Sequence, residues 1–343
     1  MVEHVLDAVK QPQLIEVEPN LYVLRFESMK YVSADIALQR LLEQEVVKPG
    51  GTVVDSSSGI YALSLAMAAH KHGVRAHIMA STTVDAVTSL QLESLGATVE
   101  RVPPNGTLKL DQDERVRRVH RYLEKNPDAH WMQQYHDPVH YLGYDRLGRE
   151  LLLPDNAQTV DLIGAVGSGA STKGLRDGIG LNRECVCHAI QPFGSVTFGA
   201  SNVPDDDMII AGIGSAIQFD NVKHSIYETV DWISYKVAAS ATLRMYAEWG
   251  LFAGLSTGCG YLVAKNGFGH LRTPERPTVI VAPDTGHRYS SALVTVKDEV
   301  EGLVDRISPS RVYTPRDIIL PWSRARIDEV EGEWDEFKNV VGD

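Results

Sequence analysis

A single lysine stands at the boundary between a predicted strand and a predicted helix. In the stretch "FESMKYVSADIALQ", residues 26–39, Lys30 follows a short apolar strand and precedes apolar residues at helical spacing. The N-terminal end of a helix carries a partial positive charge, so an ammonium group is unfavourable there. Lys30 is therefore either a solvated surface residue or an amine that the protein needs at this position.

Three loops rich in glycine, serine and threonine follow predicted strands. They are Ser56-Ser57-Ser58-Gly59, Gly167-Ser168-Gly169-Ala170-Ser171 and Leu255-Ser256-Thr257-Gly258. Small residues let the backbone approach a ligand, and N–H groups at the start of the following helix can bind an anion. An ordinary strand-to-helix turn uses the same residues, so one such loop is a weak signal. Three in one chain favour a binding site.

The second loop, in "AVGSGASTKG", is the best candidate for binding phosphate. It contains G-x-G but has no third glycine at dinucleotide spacing, and no acidic residue follows a neighbouring strand as a ribose partner. It also lacks the G-K-[ST] of a nucleoside-triphosphate loop. The loop therefore indicates a single phosphate monoester rather than a dinucleotide or ATP.

The elements that position these loops alternate between strand and helix patterns. This alternation predicts an α/β fold with two open, mostly parallel sheets flanked by helices, whose ligands bind at the carboxyl ends of the strands. We predict a small lobe at 36–138, a large lobe made of 1–35 and 139–330 that carries the phosphate loop, and a C-terminal tail at 331–343. The patterns also predict an amphipathic helix with a basic outer face at 113–126, one helix at 227–250 and a final strand at 277–286.

Composition narrows the class of protein. The 343 residues carry a formal net charge of −12, which disfavours binding to nucleic acid or to an anionic membrane. No apolar run approaches the ~20 residues that span a bilayer, and the N-terminus does not read as a signal peptide. The three cysteines, of which Cys185 and Cys187 lie in the apolar run "ECVCHAI", indicate buried structural thiols rather than a metal site. We expect a cytoplasmic protein without a metal.

Several of these segments together resemble one family. "VVDSSSG", "VGSGAS", "GLFAGLSTG" and "VIVAPDTGHRY" occur in the order found in fold-type II pyridoxal-phosphate enzymes of the tryptophan synthase β-like superfamily. The chain most resembles the cysteine synthase branch, and within it the 2,3-diaminopropionate synthases, which have close counterparts of "HWMQQY", "GSVTFG" and "GIGSA". The resemblance covers roughly residues 20–295 and implies the fold and the cofactor pyridoxal 5'-phosphate.

The resemblance implies a role for Lys30. In that family a Ser-x-Lys stands at a helix start, its lysine is in Schiff-base linkage to the cofactor, and the serine-rich substrate loop follows one helix and one strand later. Ser28-Met29-Lys30 matches this interval without a gap. Ser33, in "SADIAL", offers a second register, but that register leaves no lysine and requires a gap. We therefore assign the catalytic amine to Lys30.

The resemblance also implies the other site residues. The loop Ser56, Ser57, Ser58 and Gly59 would bind the substrate carboxylate together with Gln134, which could instead be an ordinary polar residue at a strand end. Gly167, Ser168, Gly169, Ala170 and Ser171 would hold the phosphate. Asp284 would face the pyridine nitrogen, or else be an exposed turn residue. His287 and Arg288 could meet an acidic leaving group or be structural.

The implied reaction is β-replacement on an O-activated L-serine, O-phosphoserine or O-acetylserine, through an aminoacrylate, with a small amino acid as substrate and a homodimer as the assembly. Two departures leave alternatives open. Ile60 replaces the family asparagine that hydrogen-bonds the cofactor, and the Asn-Pro-Gly-type loop before the lysine is missing. The alternatives are β-elimination that releases ammonia and a keto acid, and a catalytically silent paralogue that acts as a binding protein.

Overall fold

The computed structural model describes residues 3–57, 59–81, 84–103, 108–206, 210, 212–267 and 272–330, with the side chains of 108–111 excepted. Ser58 and the predicted tail at 331–343 lie outside this range. Among the described helices, none has the length and apolar character to cross a bilayer.

The described chain alternates between helices and strands over most of its length. The helices are α1 Val5–Val9, α2 Lys30–Glu43, α3 Ile60–His72, α4 Ala86–Ser94, α5 Leu108–Lys125, α6 Leu142–Arg149, α7 Ala170–Ile179, α8 Tyr235–Trp249, α9 Leu255–Gly267 and α10 Ser290–Val296. The strands are β1 Gln13–Glu18, β2 Leu21–Arg25, β3 Thr52–Ser56, β4 Arg75–Ser81, β5 Thr98–Val102, β6 Ala129–Trp131, β7 Thr159–Ala165, β8 Glu184–Gln191, β9 Tyr227–Ile233, β10 Thr278–Ala282, β11 Ser310–Val312 and β12 Trp322–Arg326.

These elements form two sheets. One is a four-stranded sheet of order β5-β4-β3-β6, in which every pair is parallel. The other has eight strands in the order β1-β2-β10-β7-β8-β9-β12-β11 and is parallel except at the β1–β2 and β9–β12 pairs. The prediction of an α/β fold with two mostly parallel sheets is confirmed.

The chain divides into two compact units. The first comprises the N-terminal residues through Gln11 together with Ser28–Gly143, and the second comprises Pro12–Glu27 with the chain from Tyr144 onward. The first unit therefore includes 28–35, which the sequence pattern placed in the large lobe. The reason is packing, because Tyr31 and Ala34 of α2 share a core with Leu65 of α3. Lys30 thus belongs to the unit of the four-stranded sheet.

Two sequence predictions in the second unit are wrong. Residues 227–233 form strand β9 rather than the first part of a helix, and β10 is followed by β11 and β12. The run "YETVDWI" is rich in β-branched and aromatic residues, and Asp231 within it is buried as the acceptor for Trp322 and Arg324 of β12. Pairing with a strand distant in sequence decides this segment, and no local pattern reports such pairing.

Candidate active site

Lys30 is the first residue of α2. The helix has no side-chain cap at Met29 and no acidic residue in its first turn, so no carboxylate of that turn stabilises the ammonium form. Within the described part of the chain, the Lys30 amine forms no hydrogen bond and no ion pair. Burial lowers the pKa of Lys30 to about 8. A substantial share of the amine is therefore neutral near physiological pH, which suits a nucleophile or a base.

Ser33, the residue of the second register, lies one turn after Lys30 and is buried. His140, in the 3-10 helix Pro138–Tyr141, donates from Nε2 to the Met132 carbonyl at 2.8 Å, and the Ser33 hydroxyl donates to His140 Nδ1 at 3.0 Å. Burial lowers the pKa of His140 to about 4, so the ring is neutral. A neutral imidazole donates from one nitrogen, here Nε2, and accepts at the other, here Nδ1. This chain of hydrogen bonds gives Ser33 a structural role.

The first small-residue loop follows β3 in the same unit. Ser56 ends β3, Gly59 is the N-cap of α3, and the N–H of Gly59 lies 3.5 Å from the Ser57 hydroxyl. Gln134 is buried beside this loop, and its side-chain amide donates to the Ser56 carbonyl at 3.4 Å. The structure thus brings together Gln134 and Ser56, which are 78 residues apart in the sequence.

Two residues beside this loop were missed from the sequence. Asp55 is buried and accepts the backbone N–H groups of Ser56 at 2.7 Å and of Gln134 at 3.2 Å. Arg115 of α5 donates to the Ser56 hydroxyl at 3.3 Å, so the helix predicted to have a basic outer face directs this half-buried arginine toward the loop. A carboxylate within the apolar run "VVD" was a signal for Asp55, whereas nothing local distinguishes Arg115 from its neighbours Arg117 and Arg118.

The second small-residue loop lies in the other unit, between β7 and α7. Gly169 is the N-cap of α7 with φ +79°, a conformation that favours glycine, and Ser168 is buried. A Cβ at Gly169 would lie 2.6 Å from the Asn221 carbonyl oxygen. Among the described residues, the Ser168 hydroxyl lies 3.5 Å from the Ala170 N–H, whereas the N–H groups of Gly169 and Ser171 have no backbone acceptor. The loop therefore presents helix N-terminal amides suited to an anion.

The third small-residue loop forms the first turn of α9 and lies against the residues after β10. The Gly254 N–H donates to the Asp284 carbonyl at 3.3 Å, and the Tyr289 hydroxyl donates to Asp284 Oδ2 at 2.8 Å. Burial raises the pKa of Asp284 to about 6. Asp284 is half-buried, so its interpretation as an exposed turn residue is wrong, whereas His287 and Arg288 are exposed.

Whether these residues fit pyridoxal phosphate can be judged from the buried polar atoms that lack a hydrogen-bond partner. Within the described part of the chain, Ser28 Oγ, Thr257 Oγ1 and Asp284 Oδ1 are buried and form no hydrogen bond. Such atoms are uncommon in folded proteins and often mark a ligand site. In the first unit the Lys30 amine suits an aldehyde, and in the second unit Asp284 Oδ1 suits a pyridine nitrogen and the amides of the 167–171 loop suit a phosphate. The residues fit the cofactor.

Comparisons with known proteins agree with this chemistry. The chain is 28% identical over 272 residues to N-(2-amino-2-carboxyethyl)-L-glutamate synthase of Ralstonia nicotianae, covering 76% of this chain and 77% of that protein. It is 29% identical over 283 residues to a putative cysteine synthase of Sinorhizobium fredii, covering 79% and 80%. The solved O-acetyl serine sulfhydrylase isoform 3 of Entamoeba histolytica has the same fold, with a TM-score of 0.74, 18% identity, and coverage of 89% of this chain and 96% of that one.

The model of a protein family described as "Pyridoxal-phosphate dependent enzyme" matches residues 22–284, which is most of the chain. The matched region contains Lys30, the three small-residue loops and Asp284. The protein is therefore a member of the pyridoxal-phosphate-dependent enzyme family, with the fold-type II architecture of the cysteine synthases.

Proposed function

We propose that the protein catalyses β-replacement on an O-activated L-serine, with an amino acid supplying the nucleophile. The observation that carries this proposal is the placement, in one unit, of the Lys30 amine, which bonds to no described residue, and of Gln134 against the serine loop. The similarity to an N-(2-amino-2-carboxyethyl)-L-glutamate synthase and to a putative cysteine synthase supports it, because both names describe synthases that build on a three-carbon amino acid.

The chain's own residues have separate roles in this proposal. When bound, the cofactor supplies an electron-withdrawing ring that stabilises negative charge on the substrate Cα. Lys30 Nζ would hold the cofactor aldehyde and, once released, take the proton from Cα. The amides of 167–171 would bind the phosphate, and Asp284 Oδ1 would accept the hydrogen bond of a protonated pyridine nitrogen.

The substrate carboxylate would be held by the loop after β3. The hydroxyls of Ser56 and Ser57 and the N–H of Gly59 would bind its oxygens together with the Gln134 side-chain amide, and Ser58 belongs to the same proposal. Arg115 adds a positive charge beside Ser56. A cation there favours a nucleophile that itself carries a carboxylate.

Ile60 supports a second candidate, β-elimination. The first residue of α3 is an isoleucine, whose side chain has no hydrogen-bond donor, so the tilt of the cofactor ring can differ from that in the cysteine synthases. At such a site the substrate could lose its leaving group and be released as a keto acid before a second substrate binds. A silent paralogue remains the third candidate and predicts no spectral change with any amino acid.

Product analysis separates these candidates. With O-acetyl-L-serine or O-phospho-L-serine and L-glutamate, we expect an N-substituted 2,3-diaminopropionate, and pyruvate at less than about a tenth of the product. The assay compares reactions with glutamate, with sulfide and without a nucleophile. Pyruvate and ammonia at equal rates in all three reactions would establish elimination instead.

The pH dependence of cofactor attachment tests Lys30 directly. The pKa of about 8 predicts that the rate at which the cofactor-free protein gains visible absorbance rises about tenfold per pH unit below pH 8 and levels off above it. The sign follows because only the neutral amine attacks an aldehyde. Nα-acetyl-lysine is the control, and a protein profile that keeps rising to pH 10, as the control should, would contradict the assignment.

We further propose a homodimer, as the resemblance implies, and a cytoplasmic location, which three cysteines without a disulfide framework favour. The mass measured by light scattering during gel filtration checks the dimer, since one chain has a mass of 37.8 kDa.

A further inference from the structure

Asp55 is a buried carboxylate to which the proposed reaction assigns no role. It lies in β3 directly before the serine loop, and only 2% of it is exposed. Three N–H groups converge on it. Ser56 donates its backbone N–H to Oδ1 at 2.7 Å, the Trp131 indole donates to Oδ1 at 3.1 Å, and Gln134 donates its backbone N–H to Oδ2 at 3.2 Å.

These donors belong to two separate segments of the proposed carboxylate-binding region. Ser56 opens the serine loop, while Gln134 lies three residues beyond the end of β6. The side chain of Gln134 returns to the Ser56 carbonyl at 3.4 Å, which closes a small ring of hydrogen bonds through Asp55. One carboxylate therefore touches both segments and helps to set the position of Gln134 relative to the loop.

The charge state of Asp55 suits this task. An ionised carboxylate only accepts hydrogen bonds and can hold N–H donors on both oxygens at once, which an amide of the same shape cannot. Burying the carboxylate is unfavourable, and burial raises the pKa of Asp55 to about 6 in spite of the three donors. A buried charge of this kind is weak evidence for a role in stability. It is better explained by the geometry that it imposes on its donors.

We propose that Asp55 is a positioning residue that holds the serine loop and Gln134 in register to bind the carboxylate of the amino-acid substrate. This inference rests on the proposed function for the identity of that ligand. Asp55 touches neither substrate nor cofactor in this role, and acts through the backbone amides that it accepts.

The test is Asp55→Asn, which keeps the shape but turns one acceptor into a donor. If the remaining oxygen, Oδ1, still accepts from Ser56 and Trp131, the new NH₂ group faces the Gln134 N–H. Two donors then meet without an acceptor, so Gln134 should be displaced. We expect the KM for O-acetyl-L-serine to rise about tenfold, the loss typical of one charged hydrogen bond. The kcat should change by less than about threefold and the visible spectrum of the cofactor-loaded enzyme should be unchanged.

Asp35→Asn is the matched control. Asp35 is a fully buried aspartate of the same unit that accepts from Lys10, Lys71 and His72 instead of from loop amides. If Asp55 only stabilises the unit, Asp35→Asn should raise KM equally, and that result would overturn the proposal. An unchanged KM in Asp55→Asn would overturn it as well.

Amide hydrogen exchange gives a readout that does not depend on catalysis. In Asp55→Asn, peptides containing Ser56 and Gln134 should exchange about tenfold faster than in the parent enzyme, and in Asp35→Asn they should not. If the parent enzyme neither binds nor converts an activated serine, the proposed function fails. Faster amide exchange in Asp55→Asn would then still support the conclusion that Asp55 positions both segments, and unchanged exchange would contradict it.

Discussion

Lys30→Ala should give a folded protein that stays colourless after incubation with pyridoxal phosphate and turns over an activated serine at least about 10³-fold more slowly than the parent. The substitution removes the amine proposed both to hold the cofactor and to move the Cα proton. Alanine has a high helix propensity, and the loss of a buried amine relieves its desolvation, so α2 should be retained. Visible absorbance, its bleaching by borohydride and single-turnover rates measure the effect.

Lys236→Ala is the matched control for Lys30→Ala. Lys236 is also a lysine at a helix start, the second residue of α8, but its ammonium group forms an ion pair with Glu299 at 3.3 Å. Its removal should leave colour and turnover unchanged. Borohydride reduction followed by peptide mapping should locate the attached cofactor on Lys30. A coloured Lys30→Ala protein with the cofactor on another lysine would show that the assignment is wrong.

Gly169→Ala should weaken binding of the cofactor by at least about tenfold and should also lower stability. The φ of +79° costs a residue with a side chain about 1–2 kcal/mol. The added Cβ would also lie 2.6 Å from the Asn221 carbonyl oxygen and 2.8 Å from Val222 Cα, so the loop must shift. A shifted loop no longer directs its helix N-terminal amides at the phosphate. Titration of the cofactor-free protein with pyridoxal phosphate and thermal unfolding measure both effects.

Gly73→Ala separates the two effects. Gly73 has a φ of +66° at the C-terminal end of α3, and a Cβ there would have no atom within 4 Å. This variant should lose stability from backbone strain alone and keep its affinity for the cofactor. If Gly169→Ala loses stability but binds the cofactor as tightly as the parent, the 167–171 loop is not the phosphate site.

Much of the fold could be predicted from local patterns. Gly73 and Gly96 both adopt positive φ, at the end of α3 and just after α4, and a glycine at such a position is a common local signal for the end of a helix. The parallel β-strands are short apolar runs separated by helices, and this alternation implies the crossovers. Periodicity reports neighbours close in sequence, so it was reliable for these elements.

The candidate site was predictable only in part. Motifs at fixed spacing predicted Lys30, the Gly167–Ser171 loop and Gln134. A family resemblance assigns roles to residues through such motifs. Asp55 and Arg115 belong to no such motif. The contact of Arg115 with Ser56 and that of Asp55 with Gln134 depend on the packing of α5 and β6 against β3, and they join residues 59 and 79 positions apart.

The amino-acid sequence by itself determined the α/β class, the order of the three loops, the lysine at a helix start and thereby the cofactor. Only the tertiary structure decided that β9 is a strand, that α2 joins the first unit, that Asp284 is half-buried against Tyr289 and that Asp55 joins two segments. The physical reason is that backbone propensity acts over a few residues. Burial, strand pairing and hydrogen bonds to a buried carboxylate are set by residues that meet only after the chain has folded.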